Sequence, residues 1–249
     1  MRCVISLPLF IVLALPAGAA FGQSSTAKEI IDRAIKAQTD KPDDLSKRQI
    51  ERVLMEGTVN LGGEKQAVRE IIAERPGRLR YNLTLKAPEG EIRINMTLNN
   101  DRAWRISTGE PIAEFNLSQV DEFRAEAHGR WLSTLYPLKD AAFTLTVQGE
   151  SRVEGEEVHS IKVSARFRPD VLMFFSKKSG HLIKVAYKTS DNGTPVRKEH
   201  IFTDYKKFGD LTLPGKLIDT QNGNKMGDYV VKEYKFLPKH DADVFSKPN

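Results

Sequence analysis

The chain has 249 residues, of which 40% are hydrophobic and 29% charged, and it carries a formal net charge of +5. That share of apolar side chains is enough to build a sizeable core. The single cysteine, Cys3, lies in a segment that we expect to be removed. The mature chain is therefore predicted to have no disulfide, no thiol nucleophile and no thiolate metal ligand.

The first 22 residues have the pattern of a bacterial export signal. Arg2 supplies a positive charge, and the apolar stretch of residues 4–15 is too short to span a bilayer. The small residues that follow allow cleavage after Ala19 or Gly22, and we favour Gly22. We expect residues 1–22 to be a signal peptide and residues 23–249 to be one periplasmic domain.

An amphipathic helix is predicted from Ala27 to about residue 37. Apolar residues recur at the spacing i, i+3, i+4, i+7 and i+8, and Thr26 with Glu29 has the spacing of a capping box. From residue 49 the period changes to two, as in strands. Residues 49–61 and 64–74 flank a Gly62-Gly63 turn and read as a hairpin.

Residues 78–86, 92–98 and 102–107 then alternate apolar and polar side chains, which predicts three antiparallel strands with one apolar face. A second helix is predicted from Ser118, its expected cap, to Pro137, with a break or bend at Gly129. The remaining strands are predicted at residues 142–148, 151–154, 157–167, 171–176, 181–189, 196–206, 216–220 and 226–237. This order indicates a mainly β (α+β) protein.

No motif in the sequence indicates catalysis or metal binding. The five histidines are isolated, and the sequence has no nucleophile elbow, phosphate-binding glycine loop or dinucleotide fingerprint. We therefore predict that the protein is not an enzyme and uses no metal and no cofactor.

Basic residues are common on the predicted strands at Arg75, Arg78, Arg80 and Arg93. A surface that stacks nucleic-acid bases has aromatic side chains interleaved with its positive charges. Here we expect aromatics and charges on opposite faces, and the export signal removes the chain from nucleic acid. We predict no nucleic-acid partner. The basic residues are expected to form a solvated outer face, with weak attraction to an anionic membrane surface as the alternative.

The predicted apolar face of these strands would form a broad wall. It is expected to be either a core packed under the two helices or the wall of a cavity that holds an acyl chain. Burial of hydrocarbon contributes roughly 0.8 kcal/mol per CH₂. A cavity can therefore bind an acyl chain without precisely placed polar side chains. The wall consists of Leu79, Tyr81, Leu83, Leu85, Ile92, Ile94, Met96, Leu98, Trp104 and Ile106.

Short motifs near this wall resemble the LolA/LolB-type periplasmic lipoprotein carriers. In that family an Arg-Pro step closes one strand, and an aromatic-bearing strand, a polar turn and a strand ending near a Trp follow. The corresponding residues here are Arg75-Pro76, Tyr81, Asn100-Asp101 and Trp104. Residues 241–248 also resemble the family's C-terminal tail.

The resemblance implies a single curved antiparallel sheet that forms an unclosed β-barrel, with helices covering its concave face. It implies a non-enzymatic carrier of lipids or lipoproteins that acts as a monomer between membrane-bound donor and acceptor proteins. Arg75 would latch the helical lid through hydrogen bonds to its backbone. The alternative is an envelope sensor of the same fold. The sequence departs from the family pattern at Asp101-Arg102, and it is longer after Val147.

Overall fold

The structure is a computed structural model that describes residues 25–88, 90–191, 193–239, 241 and 243–248. The predicted signal peptide and its cleavage site lie outside the described residues. None of the helices in the described part of the chain is long and apolar enough to cross a membrane.

The described residues form two α-helices, two 3-10 helices and fifteen strands. The helices are α1 (Ala27–Gln38), α2 (Leu117–Leu132) and the 3-10 helices Pro42–Lys47 and Tyr136–Lys139. The strands are β1 (Ile50–Asn60), β2 (Glu64–Glu74), β3 (Arg78–Ala87), β4 (Gly90–Asn99), β5 (Arg102–Ser107), β6 (Ala113–Glu114), β7 (Thr144–Val153), β8 (Glu156–Ser164), β9 (Val171–Ser176), β10 (Leu182–Asp191), β11 (Thr194–Thr203), β12 (Lys206–Phe208), β13 (Leu211–Leu213), β14 (Lys216–Gln221) and β15 (Asn224–Leu237).

Thirteen of these strands form one antiparallel sheet in the order β6-β5-β4-β3-β2-β1-β15-β14-β11-β10-β9-β8-β7. The sheet is not closed into a barrel, because its edge strands β6 and β7 do not pair with each other. Strands β12 and β13 form a separate two-stranded sheet. The predicted fold class, an unclosed antiparallel β-barrel with helices on its concave face, is confirmed.

The helices begin where polar side chains cap their free backbone N–H groups. Thr26 and Glu29 form the predicted capping box of α1. The cap of α2 is Asn116, not the predicted Ser118, because Asn116 accepts from the backbone N–H of Gln119. Gly129 does not break α2. A Cβ at Gly129 would lie 2.9 Å from the ring of Tyr187, so the glycine lets the helix approach β10 closely.

Several of the later strand predictions are wrong in detail. The two short strands predicted at residues 142–148 and 151–154 are the single strand β7. A register shift at Gly149 allows β7 to stay paired with β8 on both sides of this glycine. The strand predicted at residues 196–206 ends at Thr203, because Asp204 adopts a left-handed conformation with a φ of 55°. The chain then forms the β12–β13 hairpin, which the alternation did not reveal.

The inner face of the sheet carries two apolar cores. In one, Ile31 and Ile35 of α1 pack with strands β8 to β10 around Met173. In the other, Val120 and Phe123 of α2 pack with strands β1 to β4. Most of their stabilisation comes from removing apolar surface from water. The candidate site lies between the two cores.

Candidate functional site

A cavity separates the inner face of the sheet from α1, the 3-10 helix Pro42–Lys47 and the C-terminal end of α2. Its volume is about 90 Å³, counted as the space open to the centre of a water molecule. Both apolar and charged side chains line the cavity. The apolar ones include Ala34, Leu45, Leu135, Phe202, Leu213 and Phe236, and the charged ones include Glu51, Arg69, Arg75, Glu126, Arg130 and His200.

Strand register places the charged side chains on the inner face. His200 of β11 lies directly opposite Asp219 of β14, and residues that are directly opposite share a face of the sheet. Glu126 and Arg130 are four residues apart on α2, so their side chains emerge from one side of the helix. The sheet and α2 therefore face each other with charged groups.

Glu126 is the centre of the first charged cluster. Its carboxylate accepts hydrogen bonds from Tyr81 Oη at 2.7 Å and Tyr187 Oη at 2.5 Å, and His200 Nε2 lies 3.4 Å away. Burial alone would raise the pKa of Glu126, but the positive charges of His200 and Lys198 lower it to about 2. Glu126 is therefore a carboxylate at neutral pH, although it is almost fully buried.

The other nitrogen of His200 continues this cluster. Nδ1 lies 2.6 Å from Asp219 Oδ1, and Asp219 also pairs with Arg69 Nη1 at 2.5 Å. Burial opposes protonation of His200, but Glu126 and Asp219 together raise its pKa. The Arg69 guanidinium lies over the rings of Tyr81 and Tyr229, which fixes its direction. With His200 protonated, Arg69, His200, Asp219 and Glu126 form a balanced set of two positive and two negative charges.

Glu51 is the centre of the second charged cluster. It pairs with Arg75 from the end of β2 and with Arg130 of α2, the latter at 2.6 Å. The side chains of Glu51 and Arg75 are only 6% and 8% exposed. Burial opposes ionisation of Glu51, but Arg130 and Arg75 lower its pKa below the usual range. Two guanidinium groups therefore share one carboxylate.

Arg75 lies close to the covering helices, but its contacts differ from those that the resemblance implies. Its Nη1 donates to the backbone carbonyl of Arg48 at 3.3 Å, one residue beyond the 3-10 helix Pro42–Lys47. It reaches α2 through Glu51, which Arg130 also contacts. Arg75 is buried and does not belong to the solvated outer face that the sequence predicted for it. Its role as a lid latch stays a prediction.

Most of the predicted wall is packed under α2 and does not line the cavity. Leu79, Leu85 and Leu98 are at most 3% exposed and belong to the same core as Val120 and Phe123 of α2. Of the ten predicted residues, Tyr81 lines the cavity. Acyl binding along the wall stays a prediction. Its half-buried members are Leu83, Ile92, Ile94 and Met96.

Trp104 and Ile106 do not belong to the wall, so their assignment to it is wrong. They lie opposite Thr97 and Asn95, and Asn95 and Thr97 alternate with the wall residues of β4. The alternation within β5 was read correctly, but the register between β4 and β5 places its aromatic side on the outer face. A one-residue difference in register reverses the face of every side chain.

The outer face around Trp104 is covered by the C-terminal tail. Phe245 is 2% exposed and Trp104 is 3% exposed. Arg80 donates to the carbonyl of Val244 at 2.7 Å, and Asn99 donates to the carbonyl of Phe245 at 3.1 Å. The tail that contributed to the family resemblance is therefore a structural element of β3 to β5.

The sequence analysis missed the charged residues of the cavity, although a signal was present. Arg69 occupies an inner position between Ala67 and Ile71 of β2, and Asp219 follows Leu217 with the same spacing of two. A charged residue within an apolar alternation requires a buried partner. Strand register was needed to pair residues 150 positions apart. Within the described residues, no three His, Cys, Asp or Glu side chains are arranged to hold a metal ion.

No protein-family model matches the chain, and no curated protein matches it. The fold, however, is shared with several solved structures. A LolA superfamily protein from Nitrosomonas europaea aligns with 90% of this chain and 99% of its own at 10% identity, with a TM-score of 0.56. A putative outer membrane lipoprotein-sorting protein domain from Vibrio parahaemolyticus aligns over 89% and 97% at 10% identity, with a TM-score of 0.53.

A DUF1329 family protein from Desulfovibrio piger aligns with 90% of this chain and 98% of its own at 11% identity, with a TM-score of 0.56. At such low identities, the similarity establishes the fold and does not transfer a function. The LolA/LolB-type architecture predicted from the sequence is confirmed at the level of the fold.

Proposed function

We propose that the protein binds acyl chains of lipids or lipoproteins in the cavity beneath its helices and carries them through the periplasm without catalysis. The observation that carries this proposal is the cavity between the sheet and the covering helices, with Leu45, Phe202 and Leu213 among its apolar lining residues. The LolA-type fold supports it, since one protein of that fold is described as a lipoprotein-sorting domain.

The driving force for capture is the burial of hydrocarbon. Each buried CH₂ contributes roughly 0.8 kcal/mol, so a chain of fifteen methylenes contributes about 12 kcal/mol before the costs of ordering and association. The covering segments, which are α1, the 3-10 helix Pro42–Lys47 and α2, move outwards to admit such a chain. The half-buried end of the wall, at Leu83, Ile94 and Met96, is where an enlarged cavity extends.

The 3-10 helix Pro42–Lys47 and α2 form the lid of the cavity, and the cluster of Glu51, Arg75 and Arg130 holds this lid closed. Arg75 binds the backbone beyond the 3-10 helix, Arg130 belongs to α2, and Glu51 of β1 joins the two. Closure of both covering segments therefore depends on one buried carboxylate. Release requires these contacts to open, which a membrane-bound acceptor protein promotes when it binds the carrier.

Native mass spectrometry of protein purified from a bacterial periplasm tests the proposal. We expect a co-purifying acyl lipid with the wild type. In Leu213→Trp a larger side chain occupies the cavity, and we expect the lipid to be absent. Leu61→Trp is the matched control, because Leu61 is exposed in the β1–β2 turn; this variant should retain the lipid.

A wild-type chain that never carries lipid, either as purified or after incubation with a labelled lipopeptide, contradicts the proposal. The carrier and the sensor of the same fold differ in a second assay. A carrier moves the labelled lipopeptide from donor to acceptor vesicles, whereas a sensor binds it without transfer.

A further inference from the structure

The cluster around Glu51 has a buried excess of positive charge. Arg75 and Arg130 contribute two positive charges and Glu51 one negative charge, whereas the neighbouring cluster around Glu126 is balanced. The other charged pair at the cavity edge, Arg48 with Asp210, is also balanced. Buried charge that lacks a counter-charge is costly in a medium of low polarity. The excess therefore favours an anion in the cavity.

The hydrogen bonds of the same two arginines are also incomplete. Within the described part of the chain, the buried Nε atoms of Arg75 and Arg130 have no hydrogen-bond partner. The Arg75 side chain is 8% exposed, and both residues line the cavity. Buried donors are normally satisfied, and a guanidinium binds carboxylate and phosphate oxygens with a geometry that other cations do not offer.

Unsatisfied guanidinium donors and unbalanced charge thus coincide in a cavity that is also lined by apolar side chains. This arrangement fits an amphiphile with its chain against Leu45 and Leu213 and its polar end against the arginines.

We propose that the cavity selects amphiphiles with an anionic head group, a carboxylate or a phosphate, which binds Arg75 and Arg130. This inference rests on the proposed function and goes further, because capture by hydrocarbon burial alone would not distinguish one head group from another. The head group supplies the second negative charge that the Glu51 cluster lacks. Occupation of the site also connects α2 more firmly to the sheet.

Ligands with one chain length and different head groups test this. Dodecanoate, dodecyl phosphate and dodecanol are titrated against the wild type by displacement of a neutral fluorescent probe. We expect both anions to bind at least about tenfold more tightly than the alcohol, since hydrogen bonds to charged groups have about that effect. The ratio of the two anions distinguishes a carboxylate site from a phosphate site.

Three variants locate the preference. Arg130→Gln should bring the ratio of anion affinity to alcohol affinity down to about one. Arg52→Gln is the matched control: Arg52 is also ion-paired on β1, with Glu70, but it is 41% exposed and alternates with the inner residues. It should keep the preference. Glu51→Gln should raise the preference for the anions over dodecanol about tenfold, because it removes the competing carboxylate.

The outcomes separate this inference from the proposed function. Equal affinity for all three ligands overturns the inference and leaves acyl binding intact, whereas binding of none of them overturns the proposed function as well. A preference that survives in Arg130→Gln places the head group elsewhere and overturns the inference. If Arg130→Gln does not fold, an unchanged ratio of anion to alcohol affinity in Glu51→Gln has the same consequence.

Discussion

The wall of β3 and β4 and the cavity beside it belong to the same face of the same sheet, but α2 packs closely only against the wall. At the wall, Val120 and Phe123 of α2 pack between apolar side chains such as Leu79. At the cavity, Glu126 of the same helix contacts His200 of the sheet and Arg130 contacts Glu51. One helix thus forms a packed core over its first turns and a charged boundary over its last turns.

The difference follows from the side chains that face each other. Apolar side chains adjust their rotamers until few voids remain. Side chains in ion pairs and hydrogen bonds are held by their partners and cannot shift to fill the remaining space. An apolar stripe in a sequence therefore predicts burial, whereas a cavity arises where apolar and charged inner residues meet.

The largest expected effect is at the charged boundary. Glu126→Gln should lower the free energy of unfolding at pH 7 by about 3–5 kcal/mol, because it leaves buried positive charge without its partner. Glu122→Gln, one turn earlier on α2 and paired with Lys198 at a more exposed site, is the control and should cost about 1 kcal/mol or less. Urea denaturation measures both.

The same variant has a defined pH dependence. The pKa of Glu126 in the folded state is about 2, below its ordinary value of 4.5. The carboxylate therefore contributes its full stabilisation above about pH 4.5 and loses it as the pH falls towards 2. The difference between wild type and Glu126→Gln should shrink between pH 7 and pH 3. A constant difference contradicts the assignment of a buried carboxylate.

The next effect concerns the packed wall. Leu79→Ala should cost about 2–5 kcal/mol of unfolding free energy, because Leu79 is 1% exposed and the variant leaves a cavity. Phe202→Ala, at the half-buried lining of the cavity, should cost about 1 kcal/mol. Equal costs, measured by denaturation at pH 7, would mean that wall and cavity are packed alike.

The smallest effect is at the contact between α2 and β10. Gly129→Ala gains helix propensity of about 1 kcal/mol, but the added methyl group would lie 2.9 Å from the ring of Tyr187. Overpacking costs about 1–3 kcal/mol, so we expect a net loss of about 1 kcal/mol. A gain in stability on thermal unfolding would show that α2 can move away from β10 without cost.

The sequence predicted the fold well where the information was local. The capping box of α1, the β1–β2 hairpin and the alternation of β3 and β4 are each confirmed by the structure. Alternation also predicted which residues of one strand share a face. It could not predict which face of β5 continues the wall. The register pairs Leu98 of the wall with Ala103, so Trp104 lies on the opposite face.

The pairing of the charged residues of the site could not be predicted from local sequence patterns. Arg69 and Asp219 are 150 positions apart in the sequence. They meet across the inner face, although β1 and β15 lie between their strands in the sheet. Arg75 was identified from its family resemblance, but its buried partner Glu51 was not. Charged inner residues could be suspected one by one from the broken alternation. Their pairing required the order and register of all the strands.

The position of the bound acyl chain in the complex is the most direct test of whether the cavity is the binding site. Dodecanol labelled with ¹³C is suitable, because its binding does not depend on the head-group inference. We expect intermolecular nuclear Overhauser effects between the chain and Leu213, Phe202 and Leu45. A bound chain that contacts only residues outside the cavity, or the absence of any bound chain, contradicts the account.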